Sequence, residues 1–339
     1  MSEANESHGV NQSQNRARSG AQTLALLAVP LTCQLLRALA AGPKQQAELR
    51  REAGSPAQTT LRGQLRKLVD LGAVVKHRRN RFPGVLEYEL AEPGRDLLFV
   101  IDALECWLAN APGRPLPLGS NEAKAAVKSL AEGWTTSMLR ALAAGPLTLT
   151  ELDRVISDLP YPSVERRLGA MRLAQQIEAR PGEGRGTPYA VTDWLREGIA
   201  PLAAAARWER LHMPENTAPI ARLDAEAAFL LVMPLLRLPT EASGSCRMAV
   251  ELPNNREPRL AGVLVEVAQG RIASCTSRLQ GNPDAWALGS PAGWLGAVIE
   301  HDPARLELGG DCALARALLD GLHRALFEAS QWPNQGQAD

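Results

Sequence analysis

The chain is poor in the features that most quickly assign a protein to a class. Its 339 residues include only five cysteines, Cys33, Cys106, Cys246, Cys275 and Cys312, scattered, odd in number and never in a C-x-x-C pair. That argues against a disulfide framework or a thiolate zinc site and favours a reducing, cytoplasmic compartment. No apolar run approaches the roughly 18 residues of a membrane span, and residues 1–20 are polar without the apolar core of a secretory leader, so a disordered tail is expected there. Aromatics make up only 4% of the residues. Lysine is scarce, and the 37 basic residues balance 37 acidic ones, so net charge by itself indicates neither nucleic acid nor membrane as a partner. The histidines are isolated, no G-x-S-x-G or H-E-x-x-H occurs, and Asp284, Asp302 and Asp311 sit in turn or cap contexts. No enzyme, cofactor or metal is expected on these grounds.

What the chain has in place of these is an internal repeat. The octet Leu36-Arg37-Ala38-Leu39-Ala40-Ala41-Gly42-Pro43 returns letter for letter at Leu139 to Pro146, an offset of 103 residues. Glu48-Leu49 returns as Glu151-Leu152, Leu65 as Leu168, Leu68 as Met171 and Val74 as Ile177. After a two-residue slip, Tyr88 returns as Tyr189, Arg95 as Arg196 and Trp107 as Trp208. A long unit present twice points to duplicated domains rather than a solenoid, which needs at least three units.

In copy one, Leu24 to Ala41 predicts a helix stopped by Gly42-Pro43, and Lys44 to Ala53 predicts a short second helix. Ser55-Pro56 suits an N-cap and first-turn proline for a third helix that keeps Leu61, Leu65 and Leu68 on one face. The segment 73–79 predicts a strand, Asn80 to Gly84 a turn and 85–90 the returning strand. Pro93 to Ala109, with Leu97, Ile101, Leu104 and Leu108 at helical spacing, predicts a last helix. Helix, helix, turn, helix, hairpin, helix is the winged helix-turn-helix order. Charge agrees with it. Residues 44–81 hold ten basic and three acidic side chains, and Thr59, Thr60, Arg62, Arg66 and Lys67 lie opposite the leucine face. Such a face suits a major groove, while Lys76, His77, Arg78, Arg79 and Arg81 on the wing suit the flanking backbone or the minor groove.

These residues resemble a known family. The string L-R-A-L-x-x-G-P, the following Glu48-Leu49, and Pro83, Val85, Tyr88, Leu90, Gly94 and Leu97 are similar to the HxlR-type transcriptional regulators, strongly over 24–108 and more loosely over 130–211. The resemblance implies a winged-helix regulator that binds pseudo-palindromic duplex DNA as a homodimer paired through its first and last helices.

Copy two departs from copy one where DNA would be read. Residues 147–184 hold five basic and six acidic side chains. Arg62 becomes Glu165, Arg66 becomes Gly169 and Lys67 becomes Ala170, although Arg166 and Arg167 remain as candidate contacts. Copy two is therefore expected mainly as a structural partner, with residues 22–212 forming a pseudo-dimer within one chain and higher homo-oligomers still open. After Met213 the pattern changes to strands at 228–236, 246–252, 263–268, 272–278 and 286–289, a helix at 293–300, a strand at 306–308 and a helix at 312–328. This predicts an α+β domain. Its Gly270-Arg271-Ile272, Pro283 to Ser290 and Gly310-Asp311 are similar to sterol-carrier-protein-like domains, which implies an apolar tunnel. Phe229, Met233, Trp286, Leu288, Trp294 and Val298 are the candidate lining for a small apolar effector, each also suited to ordinary core packing.

The expected organisation is multidomain: a tail at 1–20, winged helices at 21–110 and 122–212 (mainly α with a β-hairpin wing) joined by a linker at 111–121, a second linker at 213–220, a small α+β domain at 221–329 and a tail at 330–339. The expected function is a DNA-binding transcriptional regulator, a repressor more than an activator, with an effector or assembly domain. The alternative is a lipid or acyl carrier whose winged helices mediate protein contacts.

Overall fold

A computed structural model describes residues 18–78, 86–131, 136–156, 159–182, 185–253 and 259–328. The expected wing turn at Asn80 to Gly84, Pro83, Val85, and nearly all of both tails lie outside these residues. The chain forms two compact units, one of Gly20–Val127 with Pro201–Thr217 and one of Lys128–Ala200 with the chain from Ala218 and the residues up to Ser19. Residues 201–217, counted with copy two in the sequence, thus group with copy one. Arg18 and Ser19, counted with the tail, are buried.

In the first unit the single helix expected from Leu24 is two, α1 (Ala21–Leu27) and α2 (Pro30–Ala40), bent by 83°. Pro30 lacks the N–H that a continuous helix needs, and its fixed φ suits the first turn of a new one. The first helix begins at Gly20, which has no side chain to cap it. Glu209 supplies the cap instead, accepting from Gly20 N at 2.7 Å and Thr23 N at 2.9 Å. Next come β1 (Lys44–Gln45) and α3 (Gln46–Glu52), the latter opened by a capping box between Gln45 and Glu48. The expected N-cap at Ser55 is corrected. Ser55 N donates to Arg50 O at 2.8 Å and its φ is 58°, so Ser55 closes α3, and α4 (Gln58–Asp70) begins after Ala57.

Strands β2 (Val74–Arg78) and β3 (Leu86–Leu90) complete an antiparallel sheet of order β1-β3-β2, with Lys44 opposite Tyr88 and Val74 opposite Leu90. The last helix of copy one, α5 (Glu92–Ala109), buries Leu97, Val100, Ile101, Leu104, Trp107 and Leu108. Gly94 lets it approach the end of α4: a Cβ there would lie 2.1 Å from Ala73 O.

A related order follows in copy two, among the described residues without a strand for β1 and with two helices where copy one has α5: α6 (Asn121–Ala131), α7 (Thr136–Ala144), α8 (Leu149–Val155), α9 (Tyr161–Leu173), β4 (Ile177–Ala179), β5 (Tyr189–Val191), α10 (Asp193–Glu197) and α11 (Ile199–His212). Individual hydrogen bonds recur at the repeat offsets. Ala73 N→Leu68 O returns as Gln176 N→Met171 O, and Ala91 N→Ala73 O as Thr192 N→Gln176 O. The pair Lys44–Tyr88 returns as Leu147–Tyr189.

Within the second unit the expected strand 228–236 is corrected: it is α12 (Arg222–Val232) followed by a 3-10 turn at Met233–Leu235. Ala225 to Met233 are buried almost throughout, save for half-buried Ala228, because α12 lies between α7 and a sheet strand. An apolar run covered on all sides shows neither a helical nor an alternating period, which is why periodicity cannot separate the two cases. Strands β6 (Gly244–Leu252), β7 (Arg259–Ala268), β8 (Arg271–Thr276), β9 (Ala285–Gly289) and β10 (Glu307–Gly310) form one sheet of order β10-β9-β6-β7-β8, with β6 and β9 parallel. Two helices follow the pattern expected: α13 (Pro291–Ile299), capped by Ser290, and α14 (Cys312–His323), capped by Asp311, ending in a π turn at Arg324–Glu328.

Three arginines secure α12. Arg140, the repeat counterpart of Arg37, meets the buried Glu226 at 2.5 Å, and Arg222 meets the same carboxylate at 2.6 Å. Arg196, the counterpart of Arg95, donates to Leu230 O and Leu231 O at the end of the helix. In copy one Arg37 instead pairs with Asp102 and Glu105 of α5.

Candidate nucleic-acid interface

The leucine spacing of α4 decides which side faces outward. Leu61, Leu65 and Leu68 are buried, and Gln64 joins them because its amide donates to Thr32 Oγ1 at 2.6 Å. The opposite side therefore carries Thr59, Thr60, Arg62, Arg66 and Lys67, all exposed. On β2, Lys76 and Arg78 are also exposed. Among the described residues none of the side chains of Arg62, Arg66, Lys67, Lys76 and Arg78 has an ion-pair or hydrogen-bond partner. Their charge is unspent by the fold and available to phosphate or base edges.

Other members of the basic set are committed elsewhere. Lys44 pairs with Glu52 at 2.7 Å, and Arg50 Nε holds Pro56 O at 3.0 Å, closing the turn into α4. His77 is half-buried and faces Glu87 at 3.8 Å and Glu89 at 4.0 Å, so it is drawn toward its own sheet. Arg79 and Arg81 lie outside the described residues. Sequence reasoning passed over Gln58 and Arg51, both exposed at the ends of the turn. The only signal for Gln58 is its place as first residue of α4, hidden by the misplaced cap at Ser55.

Copy two presents a different face. Its α9 buries Val164, Leu168 and Met171, while Glu165, Arg166, Gly169, Ala170, Arg172 and Leu173 are exposed and Arg167 is half-buried. Arg180 pairs with Glu178 at 2.6 Å. No group of three or more metal-ligating side chains occurs among the described residues.

The candidate effector residues are divided by the sheet. Phe229 and Trp294 meet edge to face at 5.0 Å, Trp294 Nε1 donates to Ala249 O, and Met233 and Val298 are buried. Trp286 and Leu288 are half-buried and share the opposite face of β9 from the buried Ala285 and Ala287. The six therefore do not line one wall. Cys33, Cys246 and Cys275 are held by burial well above the usual thiol range, each at about 12, whereas Cys312 is exposed.

The family model of the HxlR-like helix-turn-helix matches residues 31–114, which spans α2 to α5 and the exposed basic face. The chain is also similar to the uncharacterized HTH-type transcriptional regulator YtcD of Bacillus subtilis (strain 168), 36% identical over 88 residues that make up 26% of this chain and 70% of that protein. Through this segment the chain belongs to the HxlR-like helix-turn-helix family.

Proposed function

We propose that this protein is a cytoplasmic DNA-binding transcriptional regulator that acts as a repressor and reads duplex DNA through copy one. The observation that carries the proposal is the set of exposed, unpaired cations on one side of α4 and β2. Arg62, Arg66 and Lys67 enter the major groove with Thr59 and Thr60 beside them. Lys76, Arg78 and, from the wing, Arg79 and Arg81 hold the backbone, and His77 contributes less because it faces two glutamates. Copy two, a second winged helix in this proposal, serves chiefly as a partner. Arg166 stays exposed there, yet Glu165 stands where copy one has Arg62 and would repel phosphate.

Pairing within the chain is supported by the first unit. There Trp208 Nε1 donates to Pro93 O at 2.8 Å, His212 meets Asp96 at 2.8 Å and Glu209 caps α1. In this proposal the functional blocks are 21–110, 122–212 and 221–329, the end of the second block, from Pro201, grouping with the first in the fold. The last is an effector or assembly domain of sterol-carrier-like kind, a reading supported by its five-stranded sheet with helices against it. An apolar effector there would alter DNA binding only so far as it prefers one state of the protein.

Binding of the full chain to promoter duplex is measured by fluorescence anisotropy at several salt concentrations. Each phosphate contact contributes about 0.9 to the salt slope. Replacing Lys76 and Arg78 together by Ala is expected to lower that slope by roughly 2, and replacing Arg62, Arg66 and Lys67 together is expected to abolish sequence preference. An unchanged slope sinks the assignment to copy one, and target transcripts that fall when the gene is deleted sink repression.

A further inference from the structure

We propose that the outward face of α9 is a self-association surface that pairs antiparallel with α9 of a second copy of this chain. Successive changes from copy one to copy two all alter this one face. The middle of the α4 face holds Arg66 and Lys67, which would meet their own images at a two-fold crossing and repel. The corresponding α9 positions are Gly169 and Ala170, both exposed, and nothing lies within 4 Å of where a Cβ on Gly169 would project. Two helices can therefore approach closely there.

The charges around that centre are self-complementary. Glu165 and Arg172 are both exposed, neither side chain has a partner among the described residues, and they lie seven residues apart on the same side of the helix. A two-fold between Leu168 and Gly169 sets each Glu165 opposite the other copy's Arg172, giving two equivalent pairs. An isologous interface has this form, since each residue meets its complement twice. Copy one has Val69 in place of Arg172 and cannot make them. The same crossing sets Leu173, at 88% the most exposed large apolar side chain among the described residues, opposite position 164 of the other helix, three residues from its Tyr161, itself 45% exposed. Copy one has the polar Asp70 and Gln58 at those two positions. Loss of the two cations nearest the crossing, gain of an opposed charge pair and gain of two apolar flanks favour a helix that leaves DNA for its own image, while Arg166, which replaces Gly63, is an added exposed cation that the dimer leaves facing solvent. A duplex would be repelled by Glu165, and an unrelated acidic or basic partner would satisfy only half of the pair.

The test is sedimentation of the full chain over a range of concentrations, with circular dichroism to confirm that each variant is folded. The wild type is expected to dimerise reversibly. Glu165→Arg and Arg172→Glu are each expected to weaken dimerisation about tenfold or more, because each turns two attractions into two repulsions, and the double swap is expected to restore it. Gly169→Arg is expected to leave a folded monomer whose binding to a single-site duplex is unchanged. A wild type that stays monomeric up to millimolar concentration overturns the proposal. So does a dimer indifferent to these substitutions, and so does a Gly169→Arg chain that loses duplex binding, since the face would then read DNA.

Discussion

The two octet arginines allow a controlled comparison, because identical local sequence places Arg37 and Arg140 in different surroundings. Arg37 meets Asp102 and Glu105 where all three side chains are 42–59% exposed. Pairs of that kind contribute about 0–1 kcal/mol, so Arg37→Ala is expected to cost under about 1 kcal/mol. Arg140 meets Glu226, whose side chain is 1% exposed, and also donates to Ser277. Breaking a buried pair typically costs about 3–5 kcal/mol, because a charge is left without compensation. Here Arg222 still reaches the carboxylate, but it is 64% exposed, so the expected cost of Arg140→Ala is roughly 2–3 kcal/mol.

Since the chain has two compact units, one unfolding free energy is ill-defined, and unit-resolved measurement is needed. Hydrogen exchange followed by mass spectrometry should show lost protection in α7 and α12 for Arg140→Ala while α2 and α5 keep theirs. The melting of the second unit should fall by about 5–10 °C. Replacing Arg140 and Glu226 together by Met should cost less than Arg140→Ala, because no buried charge is stranded. Equal costs at Arg37 and Arg140, or loss confined to α2, would refute the reasoning.

Two further outcomes test other parts of the structure. Glu209→Ala removes both acceptors from the start of α1; with roughly 1.5–3 kcal/mol for each hydrogen bond to a charged group, exchange at the Gly20 and Thr23 amides should accelerate at least tenfold, and unchanged protection would show that the cap does not hold α1. Among the thiols, Cys312 should react with iodoacetamide near neutral pH while Cys33, Cys246 and Cys275 do not, because burial raises them to about 12. A raised folded value keeps those thiols protonated after the unfolded chain, near the ordinary cysteine value of about 8.5, has begun to ionise. Their stabilisation is therefore complete below that value and is lost as pH rises toward 12; labelling of Cys33 at pH 8 as fast as Cys312 would contradict it.

Much of copy one was legible in the sequence because its signals are local. Gly42-Pro43 stops α2, the leucine spacing of α4 turns its cations outward, and Gly94 permits the close approach of α5. The errors there, at Pro30 and Ser55, concern which helix a residue serves, and they shifted boundaries without moving the basic face. Glu209 and Glu226 were missed. A lone glutamate in a helix looks like solvated surface until the groups it meets, 189 and 86 residues away in sequence, are in place. The one local hint was Arg222 four residues before Glu226 inside an apolar run.

By itself the sequence determined that an octet recurs at an offset of 103 residues, where most helices of copy one stop, and that the basic excess lies in copy one. These follow from short-range sterics and from a face pattern that holds whatever the neighbours are. Tertiary structure alone decided that 222–232 is a helix, because an apolar run buried on all sides has no period to read. It alone decided that Arg140 serves Glu226 while Arg37 serves its own α5, and that residues 201–217 join the unit of copy one. Identical octets cannot specify different partners; those choices rest on the burial and hydrogen bonding available at each site in the folded chain.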